Sequence, residues 1–566
     1  MKHFKRAAAM LLAVVLSLCL AVTAFAADDT TKYGKGTLTV TGSGLYVPGA
    51  DGATGEGKEV TAILMFTANA SKKNDAAADA NNEFDSYTLN EYWAAFFRDD
   101  SRFDAVKKAG NYTGSGEISR DALSDASVAY VESLRGNDTA MAQLAHDAQK
   151  WVRAHATTLN GLSLKKTAQQ VSGDADKTKG TATFTDLTAG YYLVFPEGGS
   201  TGNVNRGTDA ILVNVPKNSD KTEVTIKSTF PTVDKKVSTD DGNAYQDNTT
   251  AQVGKTVTFK LTAKVPDMTD YDNYTFKFID TLSNGLEFVA DSVEVNIANN
   301  KITAGENTYS ATYEGTTKTL TVAFADLKNV VKSGTDKVAT DDEIVVTYKA
   351  KITKDAVTTN PAKNTVYLEY SNNPGTDELG KSNPDESKVY TYDINIFKFY
   401  KGEGNAETAL ANATFKLTAS EESTSEAIKL VAEADGKTYH VADAKELEDT
   451  SVTKVTEVTT GNDGKINIKG LKAGTYYLHE TIAPTGYNKL KKPIKIEIIV
   501  TGEAYTTPSY KVDDTANADN TIKVENVKGV MLPETGSIGT IGLTALGVAV
   551  VLLGVFAPRK KKKENR

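Results

Sequence analysis

The stretch Phe184-Thr185-Asp186-Leu187-Thr188-Ala189-Gly190-Tyr191-Tyr192-Leu193 returns in weakly altered form as Ile468-Lys469-Gly470-Leu471-Lys472-Ala473-Gly474-Thr475-Tyr476-Tyr477-Leu478. Each copy lies between runs rich in β-branched and aromatic residues. These run from Thr181 to Thr185 and Tyr191 to Phe195 around the first, and from Lys465 to Ile468 and Thr475 to Glu480 around the second. Such runs, broken by glycine, read as strands. The repeat therefore ties an early β domain to a late one and predicts an all-β chain of similar sandwiches in series, which suggests an elongated rod.

Working outward, strands are expected at Gly36 to Thr41, Ile211 to Val215 and Glu223 to Lys227. Helical spacing of apolar residues is confined to Asn90 to Arg98, Asp121 to Arg135 and Thr139 to His155, which hold both tryptophans, Trp93 and Trp151. Residues 30–229 read as one sandwich with a helical insertion. Alternating or β-branched runs at Val233 to Val237, Thr256 to Ala263, Tyr274 to Asp280, Thr319 to Phe324, Glu343 to Ile352 and Thr365 to Tyr370 predict a second, over 230–390. A third, over 391–528, takes Ile394 to Tyr400, Thr414 to Thr418, Ile494 to Val500 and Thr521 to Val527 besides the repeat.

The ends are of another kind. Lys2, Lys5 and Arg6 precede an apolar stretch from Ala7 to Val22, and Ala24-Phe25-Ala26 is a small-x-small cleavage pattern, so residues 1–26 read as a secretory signal. At the other end Leu532-Pro533-Glu534-Thr535-Gly536 is followed by an apolar run, 537–557, long enough to span a bilayer core of about 30 Å. The basic tail, 558–566, with Arg559 to Lys563, would hold its end in the cytoplasm.

Composition excludes several functions. The formal charge is −9 and no basic stripe precedes the tail, against nucleic-acid binding. The single cysteine, Cys19, lies in the signal, and Leu16-Ser17-Leu18 before it fits a lipoprotein box poorly. The exported chain then has no disulfide, cysteine nucleophile or cysteine metal site. The five histidines of the full sequence form no pair at ligand spacing, so no metal or other cofactor is expected. No Ser/His/Asp set or phosphate loop appears, which disfavours a secreted enzyme.

The pentapeptide, span and charges resemble the LPXTG sorting signal of Gram-positive surface proteins. Tyr477-Leu478-His479-Glu480-Thr481-Ile482-Ala483-Pro484-Thr485-Gly486-Tyr487 resembles the E-box of sortase-assembled pilins, and Val215-Pro216-Lys217-Asn218 resembles their pilin motif. The whole chain is thus similar to a backbone (major) pilin built of tandem Ig-like, CnaA/CnaB-type sandwiches. The resemblance implies that a sortase cuts between Thr535 and Gly536 and joins Thr535 to Lys217 of another copy. It implies other copies of the chain, pilus and housekeeping sortases, peptidoglycan and ancillary pilins as partners, and attachment to the cell wall as an extracellular pilus. A monomeric wall-anchored adhesin that binds a host ligand is the alternative.

The resemblance further implies isopeptide bonds between a lysine on a domain's first strand and an asparagine on its last, promoted by a carboxyl. The chemistry suits those residue types: burial favours the neutral, nucleophilic amine and keeps the carboxyl protonated. In the third domain period-two alternation places Lys398 with Ile394 and Ile396, and Asn526 with Val524, which assigns Lys398, Glu480 and Asn526. In the second, Lys235 shares a face with Val233 and Val237, and Lys235, Asp280 and Asn364 form the set, with Lys236 and Asn360 as substitutes. The first domain departs from the pattern. Lys35 stands just before its first strand. Aligning the repeats by their tyrosine pairs puts Phe195 where Glu480 stands, aligning by glycines puts Pro196 there, and Glu197 is out of register either way.

Overall fold

The computed structural model describes residues 35–529 except 50–53, 70–85, 115, 156–162, 198–209, 217–221, 227–228, 240–243, 358–359, 373–376 and 378. The signal, Lys217, the sorting motif, the apolar run and the tail lie outside the described residues. Among those described, no helix is long and apolar enough to cross a membrane. The chain divides into two compact units, the first holding residues up to Ala251, Lys255–Ala356 and Asn360–Tyr390, the second Gln252–Gly254, Val357–Thr359 and Thr391 onward.

The first unit holds two sandwiches. In the earlier one, one sheet orders Thr222–Thr225, Lys35–Gly42, Gly180–Thr188 and Gln169–Gln170, and the other Ile211–Val215, Gly190–Pro196, Glu59–Asn69 and Ser86–Leu89. Leu38, Val40, Phe184, Tyr192 and Val194 fill the space between them. Helices Ala94–Phe97, Phe103–Ala109, Arg120–Ser133 and Asp138–Ala154 cover the outer face of the second sheet. Ser119 and Asn137 start the two long helices, their side chains accepting from Ala122 N and Ala140 N, as polar N-caps do. Trp93, Phe96, Phe97 and Val152 pack here against Phe66, Leu193 and Phe195. Glu59–Asn69 is therefore covered on both faces and has a near-continuous apolar run in place of alternation. No strand is expected there from the sequence pattern alone.

The second sandwich sets Val233–Thr239, Thr256–Lys264 and Glu343–Ile352 in one sheet. Asp385–Tyr390, Ala362–Ser371, Phe276–Leu282 and Thr319–Phe324 lie in the other. The strand carrying Asn364 starts at Ala362, ahead of the expected Thr365, and Asp385–Tyr390 follows it, so it is not the last of its sandwich.

In the second unit, Tyr392–Lys401 pairs antiparallel with Lys465–Leu471 and parallel with Thr521–Glu525, first and last strands side by side. The facing sheet holds Thr414–Thr418, Gly474–Ile482, Ile494–Ile499 and Ser509–Val512. Ile394, Ile396, Ile466, Leu478, Ile522 and Val524 are buried.

The repeat marks where the chain crosses from one sheet to the other. Gly180–Thr188 hands over to Gly190–Pro196 in the opposite sheet, as Lys465–Leu471 does to Gly474–Ile482. In both, a buried tyrosine donates to the carbonyl four residues back: Tyr192 to Thr188 O at 2.7 Å, Tyr476 to Lys472 O at 2.9 Å. This tyrosine-corner geometry equates Tyr192 with Tyr476 and hence Gly190 with Gly474, so Pro196 is the counterpart of Glu480.

Candidate cross-link sites

Period-two alternation turns Lys235 inward from Val233–Thr239 and leaves Lys236 outside, where it pairs with Asp247 and Asp234. Lys235, Asp280 and Asn364 have no exposed surface, whereas Asn360 is exposed. Lys235 Nζ lies 2.6 Å from Asp280 Oδ2 and sits over the rings of Phe259 and Tyr348 at 5.0 and 5.7 Å. Its backbone N–H donates to Asp385 at 2.6 Å, and Ser387 Oγ donates to its carbonyl at 3.1 Å. Tyr348, absent from the sequence reading, donates its hydroxyl to Asp280 Oδ2 at 2.9 Å and accepts from Asn364 Nδ2. Asp280 Oδ1 and Asn364 Oδ1 have no partner among the described residues. Burial pushes the Lys235 amine down and the Asp280 carboxyl up, more strongly than their mutual attraction opposes it. Both shifts favour the neutral pair of amine and carboxylic acid.

The third sandwich repeats the arrangement with fewer parts. Lys398 turns inward from Tyr392–Lys401, and Asn526 stands one residue past Thr521–Glu525, held by its N–H to Phe399 O at 3.0 Å. Lys398 and Glu480 side chains have no exposed surface, and Asn526 is buried. Glu480 Oε1 lies 3.1 Å from Lys398 Nζ and accepts from Asn526 Nδ2 at 2.9 Å, while Lys398 Nζ donates to Asn526 Oδ1. The other carboxylate oxygen accepts from Leu490 N at 2.8 Å. Burial lowers the Lys398 amine against the pull of Glu480.

In the earlier sandwich the corresponding space is used otherwise. Lys35 is exposed at the start of its strand. Phe195 lies in the core under the Arg153 guanidinium, and Glu197 pairs with Arg153 at 3.8 Å and accepts from Thr61 Oγ1 at 3.2 Å. Its carboxyl, raised by burial, faces an arginine, which cannot serve as a neutral nucleophile. Among the described residues no group of His, Cys, Asp and Glu could hold a metal ion.

Two family models match this chain, a SpaA prealbumin-like fold domain over residues 395–516 and an LPXTG cell wall anchor motif over 525–566. The anchor motif marks this chain as an LPXTG-type cell-wall protein. It is attached to the cell wall on the outside of the cell. Among solved structures, it is similar to the T6 backbone pilin of Streptococcus pyogenes serotype M6, at 16% identity and TM-score 0.41 over 88% of this chain and 99% of that one. The Corynebacterium diphtheriae major pilin SpaA gives 17% and 0.41 over 87% and 99%. A C-terminal fragment of the Streptococcus agalactiae major pilin GBS80 gives 21% and 0.38 over 53% and 100%. No curated protein matches the chain.

Proposed function

We propose that the chain is the backbone subunit of a covalent surface pilus. A sortase cuts after Thr535 and transfers its carbonyl to Lys217 of a second copy, and the last subunit passes to peptidoglycan. Domains 230–390 and 391–528 each carry one self-made isopeptide bond, Lys235–Asn364 promoted by Asp280 and Lys398–Asn526 promoted by Glu480. Domain 30–229 carries none. Pilus and housekeeping sortases act on the chain, and ancillary pilins join the same polymer.

The observation that supports this reading is the recurrence of one unusual cluster. Two sandwiches each bury a lysine, a carboxyl and an asparagine in one hydrogen-bonded cluster, joined directly in the third sandwich and through the Tyr348 hydroxyl in the second. Apolar residues of similar volume would often serve stability as well or better than a buried ion pair. Amide exchange supplies the use: the neutral amine attacks the asparagine carbonyl carbon, the carboxyl moves protons, and ammonia leaves.

Denaturing gels of wall extracts test the polymer. A high-molecular-weight ladder is expected, and Lys217→Ala should abolish it. A single band from unmutated cells would leave the monomeric adhesin instead. Intact mass tests the bonds separately, the folded ectodomain lacking two ammonia molecules relative to its sequence.

A further inference from the structure

The two clusters differ in one respect that their chemistry must accommodate. In the third sandwich one glutamate oxygen touches both reactants, Lys398 at 3.1 Å and Asn526 at 2.9 Å. Asp280 is a methylene shorter. It reaches Lys235 at 2.6 Å, and between Asp280 and Asn364 stands the Tyr348 hydroxyl. That hydroxyl is not needed for packing. Ile344, Val346, Ala350 and Ile352, the other inward residues of Glu343–Ile352, are apolar. The ring stacks on Phe259, its cross-strand partner, with centroids 5.5 Å apart, and phenylalanine would fill the same space. A fully buried hydroxyl is costly unless bonded. Here both its bonds go to groups of the cluster.

We propose that Tyr348 is a catalytic residue of the second-sandwich cross-link, relaying the proton with which the Asn364 amide nitrogen departs. This rests on the cross-linking role proposed above. The Lys235 ammonium first gives a proton to Asp280 Oδ2. The free amine attacks Asn364 Cγ, forming the Nζ–Cγ bond and a tetrahedral centre. Asp280 then passes its proton to the Tyr348 oxygen as Tyr348 passes its own to Nδ2. The Cγ–Nδ2 bond breaks and ammonia leaves. Asp280, again a carboxylate, takes the surplus proton from Nζ, leaving an amide, ammonia and a neutral acid. Lowered Lys235 and raised Asp280 are consistent with the first and last transfers. The relay reverses the donor direction of the hydrogen bonds seen before reaction, as a hydroxyl can.

Intact mass followed against time after synthesis tests this in the full ectodomain, with the Lys398–Asn526 bond as internal clock. Tyr348→Phe should slow loss of the second-sandwich ammonia on the order of a hundredfold, the usual weight of a positioned acid–base group. Adding Asp280→Glu, whose carboxyl is long enough to reach the amide directly, should restore much of the rate. An unslowed Tyr348→Phe, or no rescue by the longer acid, would overturn the relay while leaving the cross-link standing. No ammonia loss from the unmutated second sandwich would instead remove the cross-linking reading itself. Asn364→Ala, which keeps Tyr348 but cannot react, is the folding reference. If Tyr348→Phe is more protease-sensitive than that reference, the hydroxyl is a packing element and the relay falls.

Discussion

Glu480→Gln keeps the shape of the third cluster and removes its acid. On the proposed cross-linking, the Lys398–Asn526 bond should then not form, and the ectodomain should keep one ammonia that the unmutated chain is expected to lose. Lys398 and Asn526 are 128 positions apart. Closing a loop of that length covalently takes about 5 kcal/mol of entropy from the unfolded state. The variant also leaves the Lys398 amine buried without its carboxylate, but burial already favours the neutral amine, so this addition is smaller. For a domain of this size each kcal/mol moves the midpoint by roughly 3–5 °C, so the third-sandwich transition should fall by about 15–25 °C. Scanning calorimetry and intact mass on one sample check both halves. Lys398→Met, which lacks both bond and buried amine, should isolate the unfolded-state part at about 5 kcal/mol. A variant that still loses two ammonia molecules would refute the role of Glu480. A retained ammonia with an unchanged transition would refute the stabilisation.

Other outcomes follow from single contacts. Lys236→Ala and Asn360→Ala, both outside the buried cluster, should leave the ammonia deficit at two by intact mass. Arg153→Ala strands Glu197 among buried groups and should destabilise the earlier sandwich by about 3 kcal/mol in denaturant melts. Lys58 donates to Tyr370 Oη at 3.1 Å and Lys381 O at 2.8 Å, and burial lowers its pKa to about 8. The unfolded chain therefore binds more protons between about pH 8 and the usual lysine value near 10.5, so first-unit stability should rise with pH over pH 8–10. Lys58→Met should flatten that slope in melts across the window.

Period two carried much of this architecture into the sequence. It set Lys235 and Lys398 on inward faces because their neighbours at two-residue spacing are Val233, Val237, Ile394 and Ile396. The same rule hid Tyr348, which alternation presents as one more inward apolar residue. Only the fold brings its hydroxyl to Asp280 and Asn364, which lie on other strands. Glu59–Asn69 escaped because burial on both faces removes alternation. Phe103–Ala109 is too short for its periodicity to stand out. The two alignments of the repeat could not be separated by residue type. The hydroxyl-to-carbonyl bonds of Tyr192 and Tyr476 separate them.

The neighbouring parallel terminal strands of the second unit decide how it would break. Pulled by the ends of this module, Tyr392–Lys401 and Thr521–Glu525 move oppositely along a common axis, so their ladder is loaded in shear. The five paired positions from Asn395–Thr521 to Phe399–Glu525 then share the load at once instead of peeling singly. Failure requires sliding, and a one-residue slide would turn Lys398 from the core to the outer face. A register lock of this kind resists tension without any covalent bond, which would protect the module during the interval before the proposed cross-link closes.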